Sequence, residues 1–157
     1  MDGSQPVQVY LSGPITGLTY EEAMSQRQEV TARLTDAGMR VLSPMRGKSY
    51  LSHQFGSKPL PSGGYRRPAL GDRAIMRRDW MDVVKRADVI FVNLLTAEKV
   101  SIGTVFEIAW TVNAGKFVVV LLPKEGVHDH AFIRASADVI LHDLEDGIQC
   151  VIDWAGS

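Results

Sequence analysis

Between Lys99 and Lys116 the only charged side chain is Glu107, set in VSIGTVFEIAWTVNAG. Val105, Phe106, Ile108, Ala109, Trp110 and Val112 surround it on every face of a helix. A carboxylate there is costly unless it is paired or used. Two readings fit. Thr104-x-x-Glu107 has the spacing of a capping box, in which the glutamate reaches back to the helix cap, and a helix N-terminus stabilises a carboxylate in any case. The other reading is chemical: a desolvated carboxylate is a nucleophile or an acid–base group.

A second acid is misplaced in the same sense. Residues 72–87 carry Ile75, Met76, Trp80, Val83, Val84 and Ala87 at helical spacing. Asp79 lies four residues after Ile75 and four before Val83, on the apolar stripe. Acids on a core-facing stripe are unusual, and an ion pair with the adjacent Arg78 is the structural alternative. Two carboxylates brought to one place are what cleavage of a glycosidic bond uses. One attacks or stabilises the anomeric carbon, and the other handles protons or positions a hydroxyl.

Two further segments bear on ligand binding. SGPITG, 12–17, follows an apolar run and offers glycines for close backbone approach. It matches neither the GxGxxG fingerprint nor a P-loop, so nicotinamide or ATP binding has no support. Residues 46–78 hold Arg46, Lys48, Lys58, Arg66, Arg67, Arg73, Arg77 and Arg78 against the single acid Asp72, a local balance of +7 in a chain of net charge −1. Such a stretch attracts phosphate, or is simply a solvated face. No helix-turn-helix, zinc-finger or aromatic–basic signature accompanies it, so nucleic acid is not the expected partner.

These residues must be positioned by a sheet. Five short runs rich in Val, Ile and Leu read as strands: 7–12, 39–43, 88–95, 117–122 and 139–142. VIFVNLL and FVVVLL are nearly continuous rather than alternating, as strands buried on both faces are. Helical patterns over 20–37, 72–87, 103–114 and 144–154 lie between them. The first starts at Thr19 with Glu22 three residues on, and stops at Gly38. Alternating strands and helices argue for a parallel sheet with helices on both faces, connected right-handedly. Ligands bind at the carboxyl ends of such strands. Residues 46–71 show no periodicity and read as a long loop over the site.

The 157 residues suit one domain with a sufficient core. Apolar residues make up 45% and charged residues 22%, which excludes bulk disorder. Cys150 is the single cysteine, so neither an internal disulfide nor a cysteine zinc cluster is available. A reducing cytoplasmic setting fits. No apolar run reaches about 18 residues, and MDGSQPVQ lacks the features of a secretory signal.

Three segments together resemble the nucleoside 2-deoxyribosyltransferase family: VYLSGPITG, MRRDWMDVVKRADVIFVNL and SIGTVFEIAWTVNAGKFVVVLLP. They cover most of the chain outside 46–71 and the C-terminus. The resemblance places Glu107 on the family nucleophile, which forms a covalent 2-deoxyribosyl intermediate at C1′. It places Asp79 on the paired aspartate that contacts the sugar, and Tyr10 on the tyrosine that holds the nucleophile. As a strand aromatic, Tyr10 also has a plain structural reading. Ser12, Gly13, Pro14, Ile15, Ser101, Gly103 and Asp129 are the implied substrate-binding set. No metal or organic cofactor is implied. An oligomer with shared sites is, and 128–138 matches the region that reaches a neighbour's site, with Asp129 and His130 as the candidates for the inserted side chain.

Two departures bear on the substrate. Ser101 stands six residues before Glu107, where transferases acting on free nucleosides often carry Asp. Serine there resembles the related 5′-monophosphate N-glycosidases, whose serine binds phosphate. Their GSxR-like loop is absent, since this chain reads GPIT at 13–16. The expectation is therefore a flavodoxin-like, Rossmann-like three-layer α/β sandwich with a five-stranded, mainly parallel sheet. Its expected activity is transfer of deoxyribose between bases. Hydrolysis of a nucleoside 5′-monophosphate is the second reading, and nucleotide sensing without turnover the third.

Overall fold

The computed structural model describes residues 5–157. The first four residues, part of the stretch read for a secretory signal, lie outside them. Five strands form one parallel sheet: β1 (Gln8–Ser12), β2 (Arg40–Leu42), β3 (Val89–Asn93), β4 (Phe117–Leu121) and β5 (Val139–Leu141). Their order is β2-β1-β3-β4-β5, with every neighbouring pair parallel. This is the order expected of a flavodoxin-like sheet. Six helices flank it: α1 (Tyr20–Asp36), α2 (Leu51–Phe55), α3 (Asp72–Trp80), α4 (Ile102–Asn113), α5 (Ala131–Ser136) and α6 (Leu144–Ala155). No described helix is long and apolar enough to cross a membrane.

Side chains alternate across a strand, so residue parity decides which helices each one meets. Val9, Leu11, Val89, Phe91, Val119 and Leu121 pack with Val30, Leu34, Ile148 and Val151 of α1 and α6. Tyr10, Ile90, Val92, Val118 and Val120 pack on the opposite face, with Val83, Ile108 and Ile133. That second face carries α4. Even-numbered β1 residues therefore point toward Glu107, and Tyr10 and Ser12 are two of them.

Local signals account for the helix ends. Thr19 and Glu22 close a reciprocal capping box at α1, and Gly38 follows the helix at φ +85°. The 72–87 pattern forms one continuous rod in two geometries: α3 passes into a π-helical turn over Met81–Arg86. Ala87 N–H donates to Asp82 O, and Lys116 Nζ donates to the Val83 and Ala87 carbonyls at the end of the turn. Buried Asp82 accepts from both Arg46 and Arg86.

The structure corrects two expectations and adds a helix. Residues 46–71 are not structureless: they contain α2 and a 3-10 turn at Pro68–Leu70. Leu51 and Leu60 build a small apolar cluster of their own with Ala23 and Met45. Helix α5 lies in 128–138, where six residues are too few to show a period. Finally, α4 begins at Ile102 with Ser101 as its N-cap, so Thr104 and Glu107 lie inside the helix rather than forming a capping box.

Candidate active site

At the carboxyl end of the sheet, β1 leads into the 12–17 loop, and α4 runs across the same edge. Gly13 is held so close that a Cβ there would sit 2.7 Å from the Asn93 carbonyl oxygen, which is backbone and cannot give way. Arg27 fixes this loop from below. Its guanidinium donates to Ala23 O at 2.9 Å and Gly13 O at 3.0 Å. The residue is buried, and burial pulls its pKa below the ordinary arginine value.

Glu107 is 8% exposed. The Tyr10 hydroxyl donates to its Oε1 at 2.8 Å, and the Ser12 hydroxyl donates to its Oε2. Two donors on two oxygens fix the carboxylate plane while leaving each oxygen a free lone pair. Burial first, and the charge of Asp79 second, push its pKa up to about 7; the Ser12 and Tyr10 hydrogen bonds and Arg27 pull the other way. Tyr10 is itself pushed well above the ordinary phenol value, by burial and then by Glu107, so it stays a donor.

Asp79 is 9% exposed. Arg78 Nε approaches its Oδ1 at 3.5 Å, near enough for charge attraction but not aligned for a hydrogen bond. Oδ1 thus has no hydrogen-bond partner among the described residues. Burial raises the Asp79 pKa, while Lys48 and Arg78 oppose the rise. Asp79 and Glu107 line one cleft of about 260 Å³ with Met76, Phe106, Trp110 and Gly103. Its walls are largely apolar and aromatic, and three acids line it: buried Asp79 and Glu107, and Asp72 at the exposed start of α3. Such a cleft suits a flat ring carrying a few polar atoms.

The other residues singled out in the sequence are dispersed. Pro14 lies in a neighbouring groove of about 390 Å³ with Thr16, Thr96 and Lys99, between the loops after β1 and β3. Ile15 packs against the Leu51–Leu60 cluster. Ser101 caps α4 without lining the cleft: its amide donates to buried His128 Nε2 at 2.9 Å, and its hydroxyl meets Thr104 Oγ1 at 2.9 Å. Asp129 pairs with Arg134 on the surface. His130 caps α5. Of the basic segment, Lys58, Arg66, Arg67, Arg73 and Arg77 are exposed, whereas Lys48 is buried.

Sequence reasoning missed Arg27 and Lys48. Arg27 had a usable signal, since it sits on the α1 stripe of Ala23, Val30 and Leu34 as Asp79 does on its own. Lys48 was legible only as one of the cations of the 46–78 stretch, because it lies in a turn without periodicity.

The family model for nucleoside 2-deoxyribosyltransferase matches residues 9–149. The chain belongs to the nucleoside 2-deoxyribosyltransferase family. No curated protein matches it. Among solved structures it is similar to a Clostridium botulinum CMP N-glycosidase, BcmB, at TM-score 0.57 and 17% identity, covering 92% of this chain and 97% of that one. It is also similar to the molybdenum cofactor binding protein of Rippkaea orientalis, at TM-score 0.60 and 15% identity, covering 97% and 99%. Two proteins with such different descriptions share the fold, so the function of this family member must be argued from its cleft.

Proposed function

We propose that this protein cleaves the N-glycosidic bond of a 2′-deoxynucleoside through a covalent intermediate on Glu107 and transfers the sugar to another base. The observation that carries this reading is the buried Glu107 carboxylate, tied by Tyr10 and Ser12 and sharing a cleft with Asp79. A Glu107 oxygen attacks C1′ as the C1′–N bond breaks, and the bonding pair leaves with the base. A second base then attacks C1′ and releases the carboxylate. Tyr10 and Ser12 hold the nucleophile in its attacking geometry. Asp79 orients the sugar or takes part in proton transfer. Gly103 leaves room for the ligand at the cleft, whereas Gly13 is demanded by the close Asn93 carbonyl.

A second reading is hydrolysis of a nucleoside 5′-monophosphate by the same carboxylates. Ser101 favours it: the hydroxyl stands at the N-terminus of the twelve-residue α4, where backbone N–H groups and the helix dipole attract anions. The similar BcmB is described as a CMP N-glycosidase. Incubation with deoxynucleosides and their monophosphates, with and without an acceptor base, separates the two. A new nucleoside means transfer; free base with sugar phosphate means hydrolysis; binding with no turnover leaves only the sensor. Ser101→Asp should weaken monophosphate turnover by roughly 10- to 100-fold, the cost of a lost charge-assisted contact, and leave free nucleosides less affected. Equal loss on both removes the case for phosphate reading at Ser101.

The site extends to a second copy of the chain. Outward from Glu107, α4 exposes Ile102 (70%), Val105, Phe106 and Val112, and Phe132 of the neighbouring α5 is 79% exposed. A helix that is apolar all round belongs in an interior. This surface reaches the cleft through Phe106, and the family resemblance implies that a second copy covering it would bring its 128–138 segment, with Asp129 or His130, to the cleft's rim. Light scattering should find an oligomer, and Ile102→Asp with Phe132→Asp should yield monomers with much reduced turnover. A fully active monomer ends this assignment.

A further inference from the structure

Arg27 is 7% exposed on the apolar stripe of α1, among Ala23, Val30 and Leu34, where an aliphatic side chain would pack at no desolvation cost. No carboxylate lies within 4 Å of its guanidinium among the described residues, and its buried Nε has no hydrogen-bond partner. A buried charge without a counter-ion at contact is expensive. What the guanidinium touches is backbone. Nη1 donates to Ala23 O, one turn back in its own helix. Nη2 donates to Gly13 O at 3.0 Å and lies 3.5 Å from Pro14 O.

Gly13 is the first residue after β1. Ser12 ends the strand in register with Val92, and the chain then leaves the sheet. On one side the Asn93 carbonyl crowds Gly13 and leaves no room for a Cβ. On the other, Arg27 Nη2 holds the Gly13 carbonyl, a task that no backbone N–H among the described residues takes up. The adjoining Ser12 hydroxyl donates to Glu107 Oε2. A continuous path of contacts therefore runs from the guanidinium through the Gly13 carbonyl and the Ser12 hydroxyl to the Glu107 carboxylate. Helix α1 packs on one face of the sheet and α4 on the other, so the path passes round the sheet's carboxyl edge and joins the two layers.

We propose that Arg27 is a positioning residue for the nucleophile: by fixing the Gly13 carbonyl it fixes the Ser12 hydroxyl on Glu107 Oε2. This rests on the N-glycosidic reading above. An oxygen that attacks C1′ needs its carboxylate plane held, and a small misplacement is costly in rate. Tyr10 holds Oε1 from the middle of a buried strand. Ser12 holds Oε2 from the strand's last position, which Arg27 secures. The planar guanidinium suits this task because it reaches a helix carbonyl and a loop carbonyl at once, in fixed directions. A lysine carries the same charge, but as a single point on a flexible stem.

Arg27→Lys separates the geometry from the charge. It is expected to lower kcat by on the order of 10- to 100-fold with KM little changed. The Ser12 hydrogen bond pulls the Glu107 pKa down, so loosening it should move the acid limb of the kcat/KM profile to higher pH. The charged and titratable groups acting on Glu107 are Asp79, Tyr10, Lys48 and Arg27. Arg27→Lys leaves each of these places in its charge state, so the movement reports the Ser12 bond. A double-variant cycle tests the route. In a Ser12→Ala background Arg27→Lys should cost little more, because the contact it supports is already gone. Losses that multiply, a lysine variant with the original kcat, or an unmoved acid limb each overturn the role of Arg27. Thermal unfolding checks that the variants fold. Arg27→Met, which fits the apolar stripe, repeats the cycle if the lysine variant does not. If the unmodified protein turns over no deoxynucleoside or monophosphate, the functional reading itself falls, and this inference with it.

Discussion

Glu107→Ala is expected to abolish nearly all turnover in a protein that remains folded, and Glu107→Gln should do the same, because an amide keeps the shape but does not attack C1′. The glutamine variant carries a second signature. The Glu107 pKa in the folded protein is about 7, against an ordinary 4.5. Between those values the folded state holds a proton that the unfolded chain has lost. Stability therefore falls as pH rises through this window, and the penalty is complete above about 7. It is on the order of 3 kcal/mol. Glu107→Gln escapes it, so the variant should melt higher than the unmodified protein at pH 8, and the gap should close toward pH 4.5. An inactive yet more stable variant is what a residue held for chemistry predicts. Activity near the original level in either variant overturns the nucleophile, and calorimetry at the two pH values checks the stability arm.

Asp79→Asn is expected to lower kcat by on the order of 100-fold while changing KM little, since the amide retains hydrogen bonding but loses the charge. It should also act on its neighbour. After burial, the Asp79 charge is the largest influence raising the Glu107 pKa. Removing it lets Glu107 ionise at lower pH, so the acid limb of the kcat/KM profile should move below its original position near 7. A variant with reduced KM effects only, and an unmoved acid limb, would show that Asp79 neither serves the chemical step nor senses Glu107.

Much of the scaffold was legible because burial on both faces leaves a strong mark. The continuous β3 and β4 runs announced a parallel sheet, and strand parity then places Tyr10 and Ser12 on the α4 side. Glu107 and Asp79 stood out because a charge on an apolar stripe violates the pattern around it. Arg27 violates it equally and went unnoticed, since an arginine in a helix with charged neighbours looks ordinary. The capping-box reading failed because Val100 and Ile102 hide the true start of α4 at Ser101. Helices α2 and α5 left no trace, because helices of five or six residues have no period to read, and Lys48 showed only as part of the basic 46–78 stretch. The exposed apolar side of α4 was visible as composition, but sequence alone does not tell an interior helix from one waiting for a partner.

The small cluster of Leu51, Leu60, Met45 and Ala23 is separate from the two clusters that sandwich the sheet. The carboxylates rest on the large clusters, whereas the segment containing Ser62 at the cleft belongs with the small one. Inheritance of the two parts is thereby uncoupled. A lineage can rewrite residues 51–71, trading one shape of cover for another, while the turn at Arg46, held by Asp82 and Arg78, stays in place with Glu107, Tyr10 and the sheet. Choice of base can drift while the bond-breaking apparatus stays constant, and a family built this way diversifies its substrates at little risk to its fold.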